Sequence, residues 1–263
     1  MRVLWLSDIH LNFLSPFSVE KLFSSVQRSQ PDVILISGDI GEAGHLEWNL
    51  GRLHSRFKCP IYFVLGNHDY YSSSMAHIQD VIARVSTDSL RWLTAGGVVE
   101  LTPQIGLVGH DSWADGRLGN YAMSEVMLND YVLIEDFAGL DKAQRLQKLN
   151  QLGDEAAAYC SEWLPQALDQ YAQVFFVTHV PPFRDACWHE GQLSGDDYLP
   201  HFSCKAVGEA LLEIMAHYPT RQLTVLCGHT HSPCSVQIRD NLLVHTAKSE
   251  YGVPFIQQIF ELE

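Results

Sequence analysis

The chain has 263 residues, 46% of them hydrophobic and 11% aromatic, with a formal net charge of −14. This composition excludes a disordered chain, and the length, between one and two domains by size, allows roughly 75% of the unfolded surface to be buried. The acidic balance, with no basic run to offset it, argues against duplex nucleic acid and anionic lipid, since affinity for phosphate backbones rests on Lys and Arg.

The amino-terminal hundred residues alternate strand and helix. Val3–Ser7, Val33–Ser37 and Ile61–Leu65 are apolar runs of the kind that suits strands buried on both faces. Between them, helical spacing of apolar residues predicts helices over Ser18–Arg28, with Ser18 as N-cap, and over His45–Phe57. The repeated β-α-β order implies an α/β fold with a largely parallel core and right-handed crossovers. A third helix is expected over Met75–Val85, then two strands, Val98–Leu101 and Ile105–Gly109, joined by a turn at Thr102-Pro103-Gln104.

From about Asp141 to Tyr171 the spacing is helical again, and Pro165 is expected to break or kink that helix. Val174–Thr178 and Leu223–Cys227 read as buried strands flanking a helix over Lys205–His217. The short runs Ser235–Ile238, Leu242–Thr246 and Pro254–Phe260 fit an antiparallel meander. No linker or internal repeat divides the chain, so a single domain over residues 1–263 is expected. No apolar run approaches the roughly 20 residues of a membrane span, and the amino terminus has no signal-peptide pattern. A soluble, cytoplasmic protein without membrane contact is the expectation. Six cysteines (Cys59, Cys160, Cys187, Cys204, Cys227, Cys234) lack paired spacing, which favours neither a disulfide framework nor a zinc–thiolate site.

Five short motifs follow apolar strand-like runs: Asp8-Ile9-His10, Gly38-Asp39, Gly66-Asn67-His68-Asp69, Thr178-His179 and Gly228-His229-Thr230-His231. Taken singly, each has a plain reading as a solvated loop, a polar turn or a structural histidine. Together they place oxygen and imidazole donors at successive strand ends, where open α/β sheets gather their ligands. Asp8 and His10, at i and i+2, could share one face of an extended segment, as could His229 and His231. His68 could serve as an acid or electrostatic stabiliser, with Asp69 orienting its ring.

The set resembles the calcineurin-like metallophosphoesterase family, whose pattern is D-x-H, G-D, G-N-H-[DE], H and G-H-x-H. The resemblance runs from Asp8 to His231 with no motif position missing. It implies a four-layer α/β/β/α sandwich of mixed sheets with a metal site at the carboxyl ends of strands. It further implies that Asp8, His10 and His231 hold one metal ion, that Asn67, His179 and His229 hold another, and that Asp39 bridges them. The donor chemistry agrees: imidazole and oxygen without thiolate suit two divalent or trivalent ions of Mn, Fe, Zn, Ni or Co better than Ca or Mg.

Such a pair can activate water and clamp the attacking and leaving oxygens of a phosphoryl group. The expected activity is therefore hydrolysis of a phosphodiester or phosphomonoester, with His68 at the leaving oxygen and Asp69 holding its tautomer. The partner would be a small phosphoester or a phosphorylated macromolecule. Two alternatives stand beside this: a non-catalytic scaffold of the same fold, and a structural metal protein with a closed coordination sphere. The stretch 110–140 carries no motif, and its cluster of Trp113, Asp115, Arg117, Asn120 and Tyr121 is where substrate preference is expected to reside. Arg117 and Arg184 read either as phosphate clamps or as surface arginines. Tyr70, Trp113, Tyr121, Trp188 and His110 read either as pocket walls or as core, and His189 and Glu190 are not assigned to the site.

Overall fold

In the computed structural model, which describes residues Met1–Glu263, the amino-terminal apolar run forms β1 (Arg2–Leu6). Side chains alternate along a strand, and β1 sends them into two different layers. Leu4 and Leu6 join Val19, Leu22, Ile34 and Leu50 beneath the helices. Val3 and Trp5 join Leu107, Phe175 and Leu226 of a second sheet. The near-continuous hydrophobicity of the run is thus the signature of a strand buried on both faces.

β2 (Val33–Ser37), β3 (Ile61–Val64) and β4 (Leu90–Trp92) extend the first sheet in parallel from β1. The intervening helices α1 (Pro16–Ser29), α2 (Ala43–Arg56) and α3 (Met75–Val85) bury their apolar stripes on its outer face. In the second sheet the order is β11-β12-β10-β7-β6-β5. Its parallel centre consists of β6 (Ile105–His110), β7 (Gln173–Thr178), β10 (Gln222–Cys227) and β12 (Leu242–Thr246). β5 (Val99–Thr102) and β11 (Cys234–Arg239) are antiparallel edges. α5 (Lys142–Gln170) and α7 (Lys205–His217) cover the outer face through Ala156, Cys160, Leu164, Leu211 and Met215. The result is the four-layer α/β/β/α sandwich. Two short helices, α4 (Asp130–Leu133) and α6 (Leu199–Phe202), and a two-residue hairpin, β8 (Trp188–His189) with β9 (Gln192–Leu193), lie in the connections. No helix is long and apolar enough to cross a membrane, and all six cysteines are free thiols.

Three local expectations need correction. Helix α1 begins at Pro16, with Ser15 as its N-cap, and Ser18 donates its backbone N–H to the Ser15 hydroxyl at 3.1 Å. Pro at the first helical position loses no bond that an interior residue would have made. Helix α5 continues through Pro165 to Gln170, so of the expected break or kink the break does not occur. Leu164, Ala167 and Leu168 on either side of the proline are buried, and that packing outweighs one missing backbone bond. The carboxyl-terminal strands do not form a meander. β11 and β12 pair as a hairpin, but β13 (Gln258–Glu261) crosses to the first sheet and pairs antiparallel with β1. A reciprocal amide pair closes the crossover: Lys248 N–H donates to Gln257 Oε1 at 2.9 Å, and Gln257 Nε2 donates to the Lys248 carbonyl at 2.8 Å.

Candidate metal centre

The motif residues follow β1, β2, β3, β7 and β10, so both sheets deliver side chains to one end of the sandwich. Their loops are braced against one another through the backbone. Asp8 N–H donates to the Gly38 carbonyl at 3.1 Å, His10 N–H to the Asp39 carbonyl at 3.0 Å, and Gly228 N–H to the His179 carbonyl at 2.9 Å. Five non-glycine residues here have left-handed backbones: Asp8 (φ 48°), His10 (40°), Asp39 (53°), His229 (73°) and His231 (60°). Each such residue costs about 1–2 kcal/mol, and strain of this kind gathers where side-chain direction matters more than backbone comfort. The glycines have a separate purpose. A Cβ on Gly66 would stand 2.2 Å from Asp39 Oδ1, and one on Gly228 would stand 2.1 Å from Asp8 Oδ2.

The side chains form two groups. Donor atoms of Asp8, His10, Asp39 and His231 all lie within 4.8 Å of one another, with His10 Nε2 3.4 Å from His231 Nε2. In the second group, Asn67 Oδ1 lies 3.0 Å from His179 Nε2 and 3.0 Å from His229 Nδ1. Asp39 faces both groups. Its Oδ2 is 3.7 Å from His10 Nε2 and its Oδ1 is 3.5 Å from His179 Nε2. Burial pushes the Asp39 carboxyl well above the ordinary carboxylate range, and the charges of Asp8 and Asp69 push the same way. For Asp8, burial acts upward as well, but the facing His231, with His179 and His10, prevails and holds it well below that range.

These atoms fit a metal, as their lone pairs show. His179 Nδ1 faces the Ser37 carbonyl at 2.9 Å, and His229 Nε2 faces the His201 carbonyl at 3.1 Å. A carbonyl only accepts, so each of those nitrogens carries the ring's proton. Burial lowers the pKa of both rings, that of His229 to about 3, so they are neutral and their remaining nitrogens bear lone pairs aimed at an amide oxygen. Three acceptors thus converge with no donor among them. A cation relieves that arrangement, and a neutral imidazole tied to a backbone carbonyl is the usual metal-ligand state. In the other group, burial lowers His10 to about 3, and its Nδ1 is buried without a partner.

His68 sits beside these groups. Its ring packs against Tyr71 at 4.3 Å and against His10 at 4.6 Å, and its Nε2 is 3.3 Å from the Tyr251 hydroxyl. Burial, aided by the nearby histidines, lowers it to about 2. It is therefore a neutral imidazole. The orienting role expected for Asp69 is corrected. Asp69 Oδ1 accepts the backbone N–H groups of Ile40 and Gly41, each at 2.9 Å, and Oδ2 accepts that of Gly66 at 2.9 Å. Its carboxylate points into the loops, and His68 Nδ1 is buried without any partner. Burial pushes Asp69 up to about 7 against those three donors.

A cavity of about 230 Å³ opens on the site, lined by Asp39, Asn67, His68, His229 and His231 together with Tyr71, Leu128, Asn129, Asp130, His189, Phe202, Thr230 and Tyr251. The residues singled out around 113–121 do not line it. Trp113 and Tyr121 are buried in the core beneath the first sheet, and Asp115 accepts backbone N–H groups of Arg117 and Ala206. Arg117 is paired with Asp154 at 2.7 Å and Arg184 with Asp196 at 2.8 Å, so neither reaches the cavity. Tyr70 donates to Asp111 at 2.9 Å within the core, His110 packs on Tyr159, and Trp188 donates to the Asp185 carbonyl. From the stretch 110–140 it is Leu128, Asn129 and Asp130 that reach the cavity. Tyr71, Phe202 and Tyr251 were not legible as wall residues, although Tyr71 directly follows the third motif. His189, unassigned by sequence, does line it.

Comparison with known proteins identifies the family and the fold. The profile of the calcineurin-like phosphoesterases matches residues 1–233. A curated relative, the glycerophosphodiester phosphodiesterase GpdQ of Enterobacter lignolyticus (strain SCF1), is 22% identical over 233 residues, covering 88% of this chain and 67% of the relative. Among solved structures, the phosphopantetheinyl hydrolase PptH of Mycobacterium tuberculosis superposes with a TM-score of 0.63 at 15% identity, covering 95% of this chain and 89% of its own. A dimetal phosphatase from Danio rerio gives a TM-score of 0.58 at 11% identity, covering 94% and 87%. At such identities the two structures attest the fold. With the profile spanning nearly all of the chain and the donor residues drawn together at the strand ends, this protein belongs to the calcineurin-like phosphoesterase family and is a metallophosphoesterase, a hydrolase of phosphoric esters.

Proposed function

We propose that the chain hydrolyses a small phosphoester at a dinuclear centre, one transition-metal ion held by Asp8, His10 and His231, the other by Asn67, His179 and His229, with Asp39 shared. The observation that carries this reading is Asp39 itself, one oxygen toward His10 and the other toward His179. Its Oδ1 also accepts the backbone N–H of His68 at 2.9 Å, which fixes the carboxylate between the two sets of imidazoles. Mn, Fe, Zn, Ni and Co all suit such donors.

When bound, the metals supply Lewis acidity toward phosphoryl oxygens and lower the pKa of water. The chain supplies the rest. His68, neutral and at the cavity wall, is placed to present an Nε2 proton toward the leaving oxygen, with the Tyr251 hydroxyl beside it at 3.3 Å. Asp69 acts on this chemistry only by fixing the loops that carry Asp39 and Asn67. Tyr71, Phe202 and Tyr251 narrow the cavity and limit water within it.

Cavity size and charge support a small substrate. About 230 Å³ admits a compact ester, and no Lys or Arg lines the walls to meet the extra charge of a polyphosphate. Phosphodiester and phosphomonoester both fit this description; the curated relative's name supports the diester. The test is turnover of bis(p-nitrophenyl) phosphate against p-nitrophenyl phosphate by protein reconstituted with each of the five metals. Turnover of the diester above that of the monoester is expected. Absence of turnover on both, with every metal, overturns the reading. Asp39→Asn should separately lose bound metal, read by elemental analysis.

A further inference from the structure

The amide of Asn67 has an oxygen and an NH₂ at nearly equivalent positions, so half a turn about its last bond would present the NH₂ to His179 and His229. Donor hydrogens there would repel a cation. Something must choose the oxygen. Asn67 Nδ2 lies 2.8 Å from Asp130 Oδ1, and Asp130 is buried, 3% exposed. A carboxylate only accepts, so the NH₂ must face Asp130 and the oxygen must face the imidazoles. The hydroxyl of Tyr71 donates to the same Asp130 oxygen at 2.7 Å, and Tyr71 is the ring against which His68 packs.

Asp130 is carried by α4, in the stretch that no motif covers, and the Ser72–Ser73 backbone holds that stretch in place. Ser72 N–H donates to the Leu133 carbonyl at 2.7 Å and Glu135 N–H to the Ser73 carbonyl at 3.0 Å. The segment that carries this carboxylate is therefore tied to the loop that carries Asn67. Asn129 and Leu128 beside it form part of the cavity wall.

We infer that Asp130 is a positioning residue that locks the Asn67 amide with its oxygen toward His179 and His229, and thereby sets the affinity of that half of the site for its metal ion. This rests on the two-metal reading given above. Partners of metal ligands are typically worth about 10–100-fold in metal affinity, and the amide has two orientations of very different use.

The test is Mn²⁺ titration of the metal-free protein, followed by the electron paramagnetic resonance of free Mn²⁺, with Asp130→Leu and Asp130→Ala, either of which decides if folded. Wild type should take up two Mn²⁺. Both variants should bind one ion as wild type does and the other about 10–100-fold more weakly. Asp130→Asn keeps a carbonyl that can accept from Asn67 and Tyr71, and should remain within about fivefold of wild type at both sites. Unchanged affinity in the Leu and Ala variants overturns the proposal. So does a loss in Asp130→Asn equal to theirs, because the site would then be using negative charge and not an accepting oxygen. A wild type that binds a single Mn²⁺ overturns the dinuclear reading alone. The orientation is then decided in ¹⁵N-labelled protein: the Asn67 side-chain NH₂ should be protected from exchange in wild type and in Asp130→Asn and exposed in Asp130→Leu, and equal protection in all three overturns it.

Discussion

Asp69 Oδ1 accepts the backbone N–H of Ile40 at 2.9 Å, which joins the loop that carries Asp39 to the loop that carries Asn67. Gly41 and Gly66 complete the clasp on the same carboxylate. Two candidate donor residues from different strands are thus set relative to one another by a third residue whose carboxylate points away from them. In Asp69→Asn the new NH₂ must meet at least one backbone N–H, donor against donor. Leaving a buried backbone donor unsatisfied costs about 1–3 kcal/mol, so a loss of that order is expected in urea unfolding of the metal-free protein, together with weaker Mn²⁺ binding. Wild-type values for both would show that the clasp does not position the loops.

Gly66 is required for a reason independent of turn conformation. A Cβ there would stand 2.2 Å from Asp39 Oδ1 and 2.6 Å from Asp39 N, and neither atom is free to move away. Asp39 would be displaced from its place between the two imidazole groups. Gly66→Ala should fold less stably, by about 1–3 kcal/mol as for an overpacked core, and should bind less than the wild-type amount of metal at equilibrium dialysis. Full metal occupancy in this variant would contradict the placement of Asp39.

Much of the layered fold was legible because its signals are local. Apolar runs such as Val33–Ser37 mark strands buried on both faces, and the same strand ends carry the five motifs, whose resemblance to the calcineurin-like pattern is what gathers Asp8, His10, Asp39, Asn67, His179, His229 and His231 into one candidate set. What escaped was non-local. Asp130 lies 63 positions from Asn67 in a stretch without periodicity, and nothing in the chain near either residue announces the other. Tyr251 reaches His68 from the segment that crosses between β12 in one sheet and β13 in the other, and a short strand does not encode which edge it will join. Asp69 shows the converse: adjacency to His68 suggested a partnership, but neighbours along a tight turn point in different directions. Arg117 pairs with Asp154 of α5, a partner distant in sequence, so its own neighbours could not choose between a phosphate clamp and a surface arginine.

His68 stands beside the donor groups without belonging to either. Its lowered pKa means that it acts as a neutral hydrogen-bond donor and not as an imidazolium. Replacing it with Asn keeps an N–H donor on a shorter reach and removes the ring packed between His10 and Tyr71. Turnover of the diester should fall by about 10²–10⁴-fold, the scale of a lost proton-handling group, while the Mn²⁺ count stays at the wild-type value. Undiminished turnover would remove His68 from the chemistry.

His110 offers a pH signature away from the site. Its Nδ1 accepts the backbone N–H of Ser112 at 2.9 Å, and burial lowers its pKa to about 4, against a smaller opposing pull from Glu155. A histidine whose folded pKa lies below its unfolded value of about 6.5 resists protonation only while folded. Between those two values the unfolded chain binds more protons, so stability is full above about pH 6.5 and declines as pH falls toward 4. The ring is partly exposed, which discounts the effect to the order of 2 kcal/mol. In His110→Asn the amide oxygen can still accept from Ser112 but cannot titrate. Urea unfolding of the metal-free proteins at pH 7 and pH 4.5 should therefore show a smaller loss of stability in the variant, by about that amount. The other buried histidines are common to both proteins and cancel in the comparison. Equal losses in the two would falsify the assignment of this acid sensitivity to His110.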